Sequence, residues 1–539
     1  MKSKILILGI DGGNWRVLRG AIERGYMPFL GQLVGEGASG VLESTFPAIT
    51  PAAWSAFHSG RDVGTSGIFN FAWWDRQTHR HCFFDSHAVE PTVWQLLSEN
   101  GYRVGLLNVP MTYPPSELNG WVVSGMLTPS MEARFTHPGE LKTALLEHLP
   151  RYETIRSDSA GRYQPHEDPE GFMGEMAQAV EMRASAAEFL FARDPVDISM
   201  VHFQASDLIF HAFWHHLDPD HPLFDRDAER RIMEGFFRPL DDALARARRA
   251  FAAYCGSEHT CFVISDHGFE RHEKAFLLGD WLCREGYLVL NPRNARPPVV
   301  KRLTKRLGVG KLLSRVLSSK TITAAESRLR LDAEPFVWQK SRAFAMGRGA
   351  DGFIYLLESD PQARGRTAAE LIAKLGAIQI PGTDLTLAQR VCTRAEVYGP
   401  SAPDSLPDVI LATRPSHSCT GGYLGESGLF RQVRPGRDFH IGRHHPDGIF
   451  IGVGGGIVSC SSLRFRLVDM PATLLNIAGF SAPDYMDSTP VRQLLAEGPS
   501  CEGLRQPSLL ESEPPESSDT YSDEEQDQVS KRLKDLGYL

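Results

Sequence analysis

Cysteine is scarce and scattered. The eight residues, at 82, 255, 261, 283, 392, 419, 460 and 501, include no Cys-x-x-Cys pair, and nothing in their spacing supports a disulfide framework. Cys261 and Cys283 stand in apolar surroundings and are expected to be buried thiols. Long apolar runs are also missing. No uninterrupted stretch approaches the roughly 18 residues that a spanning helix needs, so no membrane span is expected. The first eleven residues, Met1 to Asp11, imitate a signal peptide, but the apolar run is too short and ends in a carboxylate. A cytoplasmic location is therefore expected. Excess positive charge is lacking too: 57 Lys and Arg face 66 Asp and Glu, a net charge of −9. That balance argues against a general binder of nucleic-acid polymers. The remainder, 42% hydrophobic and 23% charged over 539 residues, is an ordinary globular composition.

Short apolar strands alternate with helical stretches along most of the chain. Strand-like runs occupy Ile5–Ile10, Gly40–Ser44, Val104–Asn108, the stretch near Trp121, and the segments leading to Asp207 and Asp266. Between them lie helical patterns over Trp15–Glu36, Thr92–Gly101, 165–195 and Ala228–Ala253. This alternation predicts an α/β fold with a doubly wound, mostly parallel sheet flanked by helices. A second block resumes the pattern at Gly352–Leu357, Ala368–Leu375 and Pro407–Ala412. Residues 276–345 interrupt it. Within them Lys301–Arg330 holds nine Lys or Arg and one acid, Glu326, with leucines at roughly helical spacing. We expect a catalytic core of 1–275 and 346–495, with 276–345 as a basic, helical cap or lid insertion. The basic stretch reads as a rim that attracts phosphorylated substrate, as a membrane-surface contact, or as a solvated helical pair packed on the core. Residues 496–539 are expected to form an acidic flexible linker rich in Ser, Pro and Glu, and then a short helix. Val529, Leu533 and Leu536 share one face of that helix, which would dock on the core or on a partner subunit.

Several of the strands end in side chains able to hold metal. Asp11 closes Ile5-Leu-Ile-Leu-Gly-Ile, and Asp266-His267 closes Cys261-Phe-Val-Ile-Ser. Asp207 and His211 follow a third strand, four residues apart, and share one face if helical. His444-His445 precedes Gly448-Ile-Phe-Ile-Gly-Val. In an open α/β sheet, ligands gather at the carboxyl ends of the strands, and buried carboxylates there need a compensating cation. Together these residues make six or seven N/O ligands, about enough for two zinc-like ions. Thr50 lies between a strand and a helix, before Pro51, where it serves either as an N-cap or as a hydroxyl facing the helix dipole. Nineteen histidines are present, so most are bystanders. His202, His215, His216, His221, His272 and His445 are left unassigned, and Asp197 reads as a turn residue.

The ordered set resembles the alkaline phosphatase superfamily and, within it, prokaryotic members of the type I phosphodiesterase/nucleotide pyrophosphatase family, over most of residues 4–490. The matching pieces are Asp11-Gly12, Thr50 ten residues before Gly60, Gly67-Ile68, Asp207-x-x-x-His211, Ser265-Asp266-His267-Gly268 and His444-His445-Pro-Asp-Gly448. Asn108-Val-Pro-Met-Thr-Tyr-Pro-Pro and Gly125-Met-Leu-Thr-Pro add to them. Thr45-Phe-Pro copies the eukaryotic wording of the nucleophile motif, but the spacing to Ser59-Gly60 favours Thr50.

The resemblance implies an alkaline-phosphatase-like fold and two divalent ions, Zn²⁺ first and Mn²⁺ as the alternative. One would be held by Asp207, His211 and His444, the other by Asp11, Asp266, His267 and Thr50. It implies a hydrolase that cleaves a phosphodiester or pyrophosphate bond of a small nucleotide-like substrate through a phosphothreonine. Asn70, one residue out of the family's register, is carried as a contact to a phosphate oxygen. Where members show Ile-Asn and Gly-Arg after a later strand, Leu356-Leu357 stand here. A phosphomonoesterase or phospho- or sulfo-transferase of the same superfamily is the alternative. A non-catalytic binder of a phosphorylated ligand is a further one, against which the intact ligand set speaks.

Overall fold

The computed structural model describes residues 2–154, 165–291, 336–496, 503–504 and 521–535. The basic stretch at 301–330, most of the acidic linker, Leu536 and Cys501 lie outside the described residues.

Strand Ile5–Ile10 is the axis of the molecule. All six residues are buried, as befits a central strand covered on both faces. It pairs in parallel with Ile198–Phe203 on one side and with Thr260–Ile264 on the other. Val104–Leu107 and Gly120–Val123 continue the parallel set beyond Ile198–Phe203. Asp447–Val453 runs antiparallel against Thr260–Ile264 and leads to the opposite edge. The result is a mixed, mostly parallel sheet of nine strands.

Helices cover both faces. Leu6, Leu8 and Ile10 point into a core shared with Val180, Leu190, Leu240 and Leu244 of the two long helices Pro169–Arg193 and Arg238–Tyr254. Ile5 and Ile7 point the other way, onto Ala53, Trp54, Phe57, Leu96 and Leu474. Alternate residues of one strand thus nucleate two cores. Truncating any of them to alanine would cost about 2–5 kcal/mol.

Some elements are more broken than their patterns predict. The stretch expected as one helix over 15–36 is two, Trp15–Glu23 and Pro28–Glu36, separated at Gly25, whose φ is +75°. Asp241 accepts from the Phe29 and Leu30 amides at 2.8 and 2.9 Å and so caps the second piece. The Ala228–Ala253 pattern holds a wide π turn at Met233–Phe237 between helices Arg226–Ile232 and Arg238–Tyr254. Cys261 is buried as expected, whereas Cys283 is half-exposed because it lies near the end of the short helix Leu278–Arg284.

Smaller sheets stand beyond the carboxyl edge. Gly268–Arg271 pairs with Gly442–His445. A four-stranded sheet joins Lys274–Leu277, Arg348–Gly349, His417–Thr420 and Phe430–Gln432. Another joins Ala343–Met346, Gly352–Leu356, Ala388–Thr393 and Val409–Thr413. The C-terminal helix Asp523–Asp535 docks on the core, not on a solvent face: Val529 and Leu533 are buried there with Tyr521. No helix among the described residues is long and apolar enough to cross a membrane.

Candidate metal centre

The three central parallel strands deliver the carboxylates. Ile10 stands opposite Phe203 and Gly9 opposite Ile264, so Asp11, the loop to Asp207 and the Ser265-Asp266-His267 loop emerge at one edge. Gly12 turns the chain at φ +70°, and a Cβ there would overlap the Phe269 ring at 2.4 Å. Its amide donates to Asp266 Oδ1 at 3.2 Å. Ser206 Oγ donates to the Asp11 carbonyl at 2.7 Å, and Ser265 Oγ donates to the His267 carbonyl. These bonds hold the loops in register before any ligand enters.

Two groups of ligand-type side chains result, Asp207 with His267 and His444, and Asp11 with Asp266 and His267. Within each group the offered atoms lie within 4.8 Å of one another, and His267 belongs to both. His211 joins the first: its Nε2 is 3.6 Å from Asp207 Oδ1 and 3.0 Å from His444 Nε2. Helix Ala205–Leu217 brings Asp207 and His211 together one turn apart. Strand Gly442–His445 presents His444, whose Nε2 is 3.2 Å from Asp207 Oδ1, while His445 Nδ1 accepts the Asp447 amide at 3.1 Å instead.

The histidines share a setting. His211 Nδ1 donates to the Gly442 carbonyl at 2.9 Å, His267 Nδ1 to Gly268 at 3.3 Å, and His444 Nδ1 to Ala48 at 3.1 Å. Each bond leaves the Nε2 lone pair facing the carboxylates. Burial pushes His211 and His267 down to about 4 and lowers His444 as well. All three are therefore neutral at pH 7, the form a cation needs. Two bare nitrogens 3.0 Å apart repel each other unless a positive charge lies between them.

The carboxylates make the same demand. Asp11, Asp207 and Asp266 are at most 1% exposed. Burial raises Asp266 to about 7, and burial together with Asp266 and Asp207 raises Asp11 well above the usual range. Burial acts on Asp207 in the same sense, but the His211 and His444 rings outweigh it and hold that carboxyl low. Asp266 Oδ2 has no hydrogen-bond donor among the described residues, and the Asp11 oxygens have only the His202 ring and the Trp54 indole beside them. Buried acceptors without donors fit divalent cations better than any rearrangement of this polar set.

Thr50 is fully buried, with Oγ1 3.4 Å from His267 Nε2. It is the first residue of helix Thr50–Ser59, and Ile49 holds the cap position. Of the two roles left open in the sequence, the cap falls to Ile49, and the Thr50 hydroxyl faces the histidine. Thr45 is elsewhere engaged, donating to the Pro47 carbonyl at 2.8 Å. Asn70 is buried, and its Oδ1 accepts the Phe71 amide at 2.8 Å. His215 packs on the His216 and His221 rings, and the residue that orients His211 is Gly442.

His202 was passed over in the sequence and is part of the site. Its Nε2 lies 3.2 Å from Asp11 Oδ2, and it is fully buried, its imidazole pushed down to about 3 by burial and then by Arg183. The available signal was a ring in an otherwise apolar strand. Its meaning needed the register, which sets His202 beside Gly9, where a Cβ would stand 3.0 Å from the imidazole.

Fold and site together define an α/β protein with a two-part Asp/His centre at the carboxyl edge of its sheet. The chain belongs to the type I phosphodiesterase/nucleotide pyrophosphatase family, whose model matches residues 5–431, and is thus a hydrolase with buried Asp/His groups suited to metal. Among solved structures it is similar to human ectonucleotide pyrophosphatase/phosphodiesterase 5, with 12% identity, a TM-score of 0.51, and coverage of 92% of this chain and 100% of that one. It is also similar to phosphonoacetate hydrolase from Sinorhizobium meliloti 1021 with phosphonoformate, at 16% identity, TM-score 0.52, and coverage of 87% and 94%. An inactive threonine-to-alanine variant of the murine ectonucleotide pyrophosphatase/phosphodiesterase 5 with AMP matches at 12% identity, TM-score 0.50, and coverage of 92% and 100%. A search of curated proteins found no sequence match.

Proposed function

We propose that the protein is a two-metal phosphodiesterase or nucleotide-type pyrophosphatase of the prokaryotic branch, with Thr50 as its nucleophile. The observation that carries this reading is the set of Nε2 atoms of His211, His267 and His444, each turned inward by an Nδ1–carbonyl bond toward Asp11, Asp207 and Asp266. Asp207, His211 and His444 would hold one cation, and Asp11, Asp266 and His267 the other beside Thr50. Mixed imidazole and carboxylate ligands favour Zn²⁺, with Mn²⁺ next. When bound, such ions supply Lewis acidity and lower the pKa of a neighbouring hydroxyl.

The residues of the chain do the rest. Thr50 Oγ1 attacks phosphorus, the bond to the leaving oxygen breaks in line, and a phosphothreonine forms that water later releases. The amino-terminal turn beneath Thr50 favours the developing negative charge. His202 holds the Asp11 carboxylate. Asn70 is proposed as a contact to a non-bridging oxygen, and 276–345 as a cap above the site. The relative with bound AMP and its inactivating threonine replacement support a nucleotide-like substrate and a threonine nucleophile.

Turnover of bis-p-nitrophenyl phosphate and of the p-nitrophenyl monoester, by wild type, Thr50→Ala and Thr45→Ala, tests this. We expect the diester to be preferred, Thr50→Ala to lose about 10³-fold or more, and Thr45→Ala to remain active. A preference for the monoester, or an inactive Thr45→Ala beside an active Thr50→Ala, would overturn the reading.

A further inference from the structure

A buried cation sits behind the metal centre. Arg183, on helix Pro169–Arg193, is 8% exposed. Its hydrogen-bond partners among the described residues are all neutral: Asn108 Oδ1, the Tyr152 hydroxyl at 3.0 Å and the Thr154 carbonyl at 3.4 Å. The guanidinium stands 5.6 Å from the centre of the Tyr152 ring. Arginine keeps its charge, and burying that charge among neutral groups is costly. A buried polar network that satisfies its members makes rigid whatever it holds.

What it holds is Asn108. The side-chain amide uses both donors and both acceptor positions. Oδ1 accepts from Arg183 and Tyr152, and Nδ2 donates to the Thr154 carbonyl at 2.7 Å and the Ser124 carbonyl at 3.4 Å. These bonds pin a backbone at φ +57°, a left-handed conformation that asparagine tolerates better than most residues. Asn108 directly follows strand Val104–Leu107, in which Leu107 stands opposite Val201. Asn108 therefore comes level with His202, and its carbonyl lies against that ring. Gly125 closes over the same carbonyl, where a Cβ would stand 2.4 Å from the oxygen. On its other sides the imidazole meets Trp54, edge-on at 5.2 Å, and Asp11 Oδ2, 3.2 Å from Nε2. A continuous line of contacts runs from Arg183 through Asn108 and His202 to Asp11.

We propose that Arg183 and Asn108 are positioning residues for the metal centre, acting through His202 on the Asp11 carboxylate. Neither touches a reacting atom. The proposal rests on the two-metal reading above for what Asp11 holds. It gives a physical role to Asn108 and Gly125, which open two sequence stretches that the centre does not otherwise use. Since the line ends at Asp11, its effect falls on the ion that Asp11 shares with Asp266 and His267.

The test titrates the full chain with zinc against a chromophoric chelator. His444→Ala and Asp266→Ala mark which step belongs to which ion. Arg183→Met, which fills similar space and removes every donor, should weaken the ion at Asp11 by about 10- to 100-fold and leave the ion at Asp207 unchanged. In a His202→Phe background the same change should add nothing, because the line is already cut. Arg183→Lys, with the charge but fewer donors, should fall between; where Arg183→Met does not fold, Arg183→Lys carries the same two comparisons. Equal weakening of both ions makes Arg183 a general support of the fold and overturns the proposal. Unchanged affinities, or effects that multiply in the double variant, overturn it too. A wild type that takes up fewer than two ions counts against the two-metal reading alone. Metal-free crystals of wild type and the folded Arg183 variant then decide the positioning: His202 should part from Asp11 in the variant, and an unmoved pair overturns it.

Discussion

Replacing His444 by alanine removes one of the three side chains that would hold the first ion. The ring contributes an Nε2 3.2 Å from Asp207 and 3.0 Å from His211, with its Nδ1 pinned to Ala48. Structural zinc sites with four protein ligands bind with about 10–16 kcal/mol, or about 3 kcal/mol per ligand. Losing one should weaken that ion by about 10²-fold. At free zinc buffered between the two affinities, His444→Ala should retain one ion while wild type retains both. His445 is a matched control, since its imidazole accepts the Asp447 amide and is half-exposed. His445→Ala should keep both ions and change Michaelis parameters only modestly. Metal content measured by mass spectrometry after equilibration decides the matter. A full complement in His444→Ala would refute the assignment and the reasoning from side-chain alternation along strand Gly442–His445.

Chelator should abolish diester turnover while leaving the fold in place, with Zn²⁺ or Mn²⁺ restoring it. In the metal-free protein Asp266 is pushed up to about 7 by burial. The folded form then holds a proton that the unfolded form releases, so stability falls as pH rises above the ordinary carboxyl range and levels off past about 7. Thermal unfolding of chelated wild type between pH 5 and 8 should show that fall, and Asp266→Asn should blunt it. An equal fall in both would exclude Asp266 as the source. Asp241→Ala leaves the Phe29 and Leu30 amides without their acceptor; denaturant unfolding should show a loss of about 2–4 kcal/mol.

Much of the centre was legible in the sequence because its ligands stand at element boundaries. A carboxylate closing an apolar strand, as at Asp11 and Asp266, and an i, i+4 pair such as Asp207 and His211, are local patterns with a fixed geometric consequence. Strand alternation separates His444 from His445 for the same reason. The alternation of apolar strands with helical periods also determined the doubly wound class. Tertiary structure decided what depends on register and on contacts between distant segments. His202 belongs to the site only because its strand lies beside Gly9. The three tautomers are set by carbonyls of Ala48, Gly268 and Gly442, two of them remote in sequence from the ring they orient. Thr50 turned out to be a helix's first residue and not its cap because its hydroxyl faces His267, more than two hundred positions along the chain. Local pattern specifies which side chains are available at a strand's end. Only packing sets which nitrogen points inward and which charge is left without a partner.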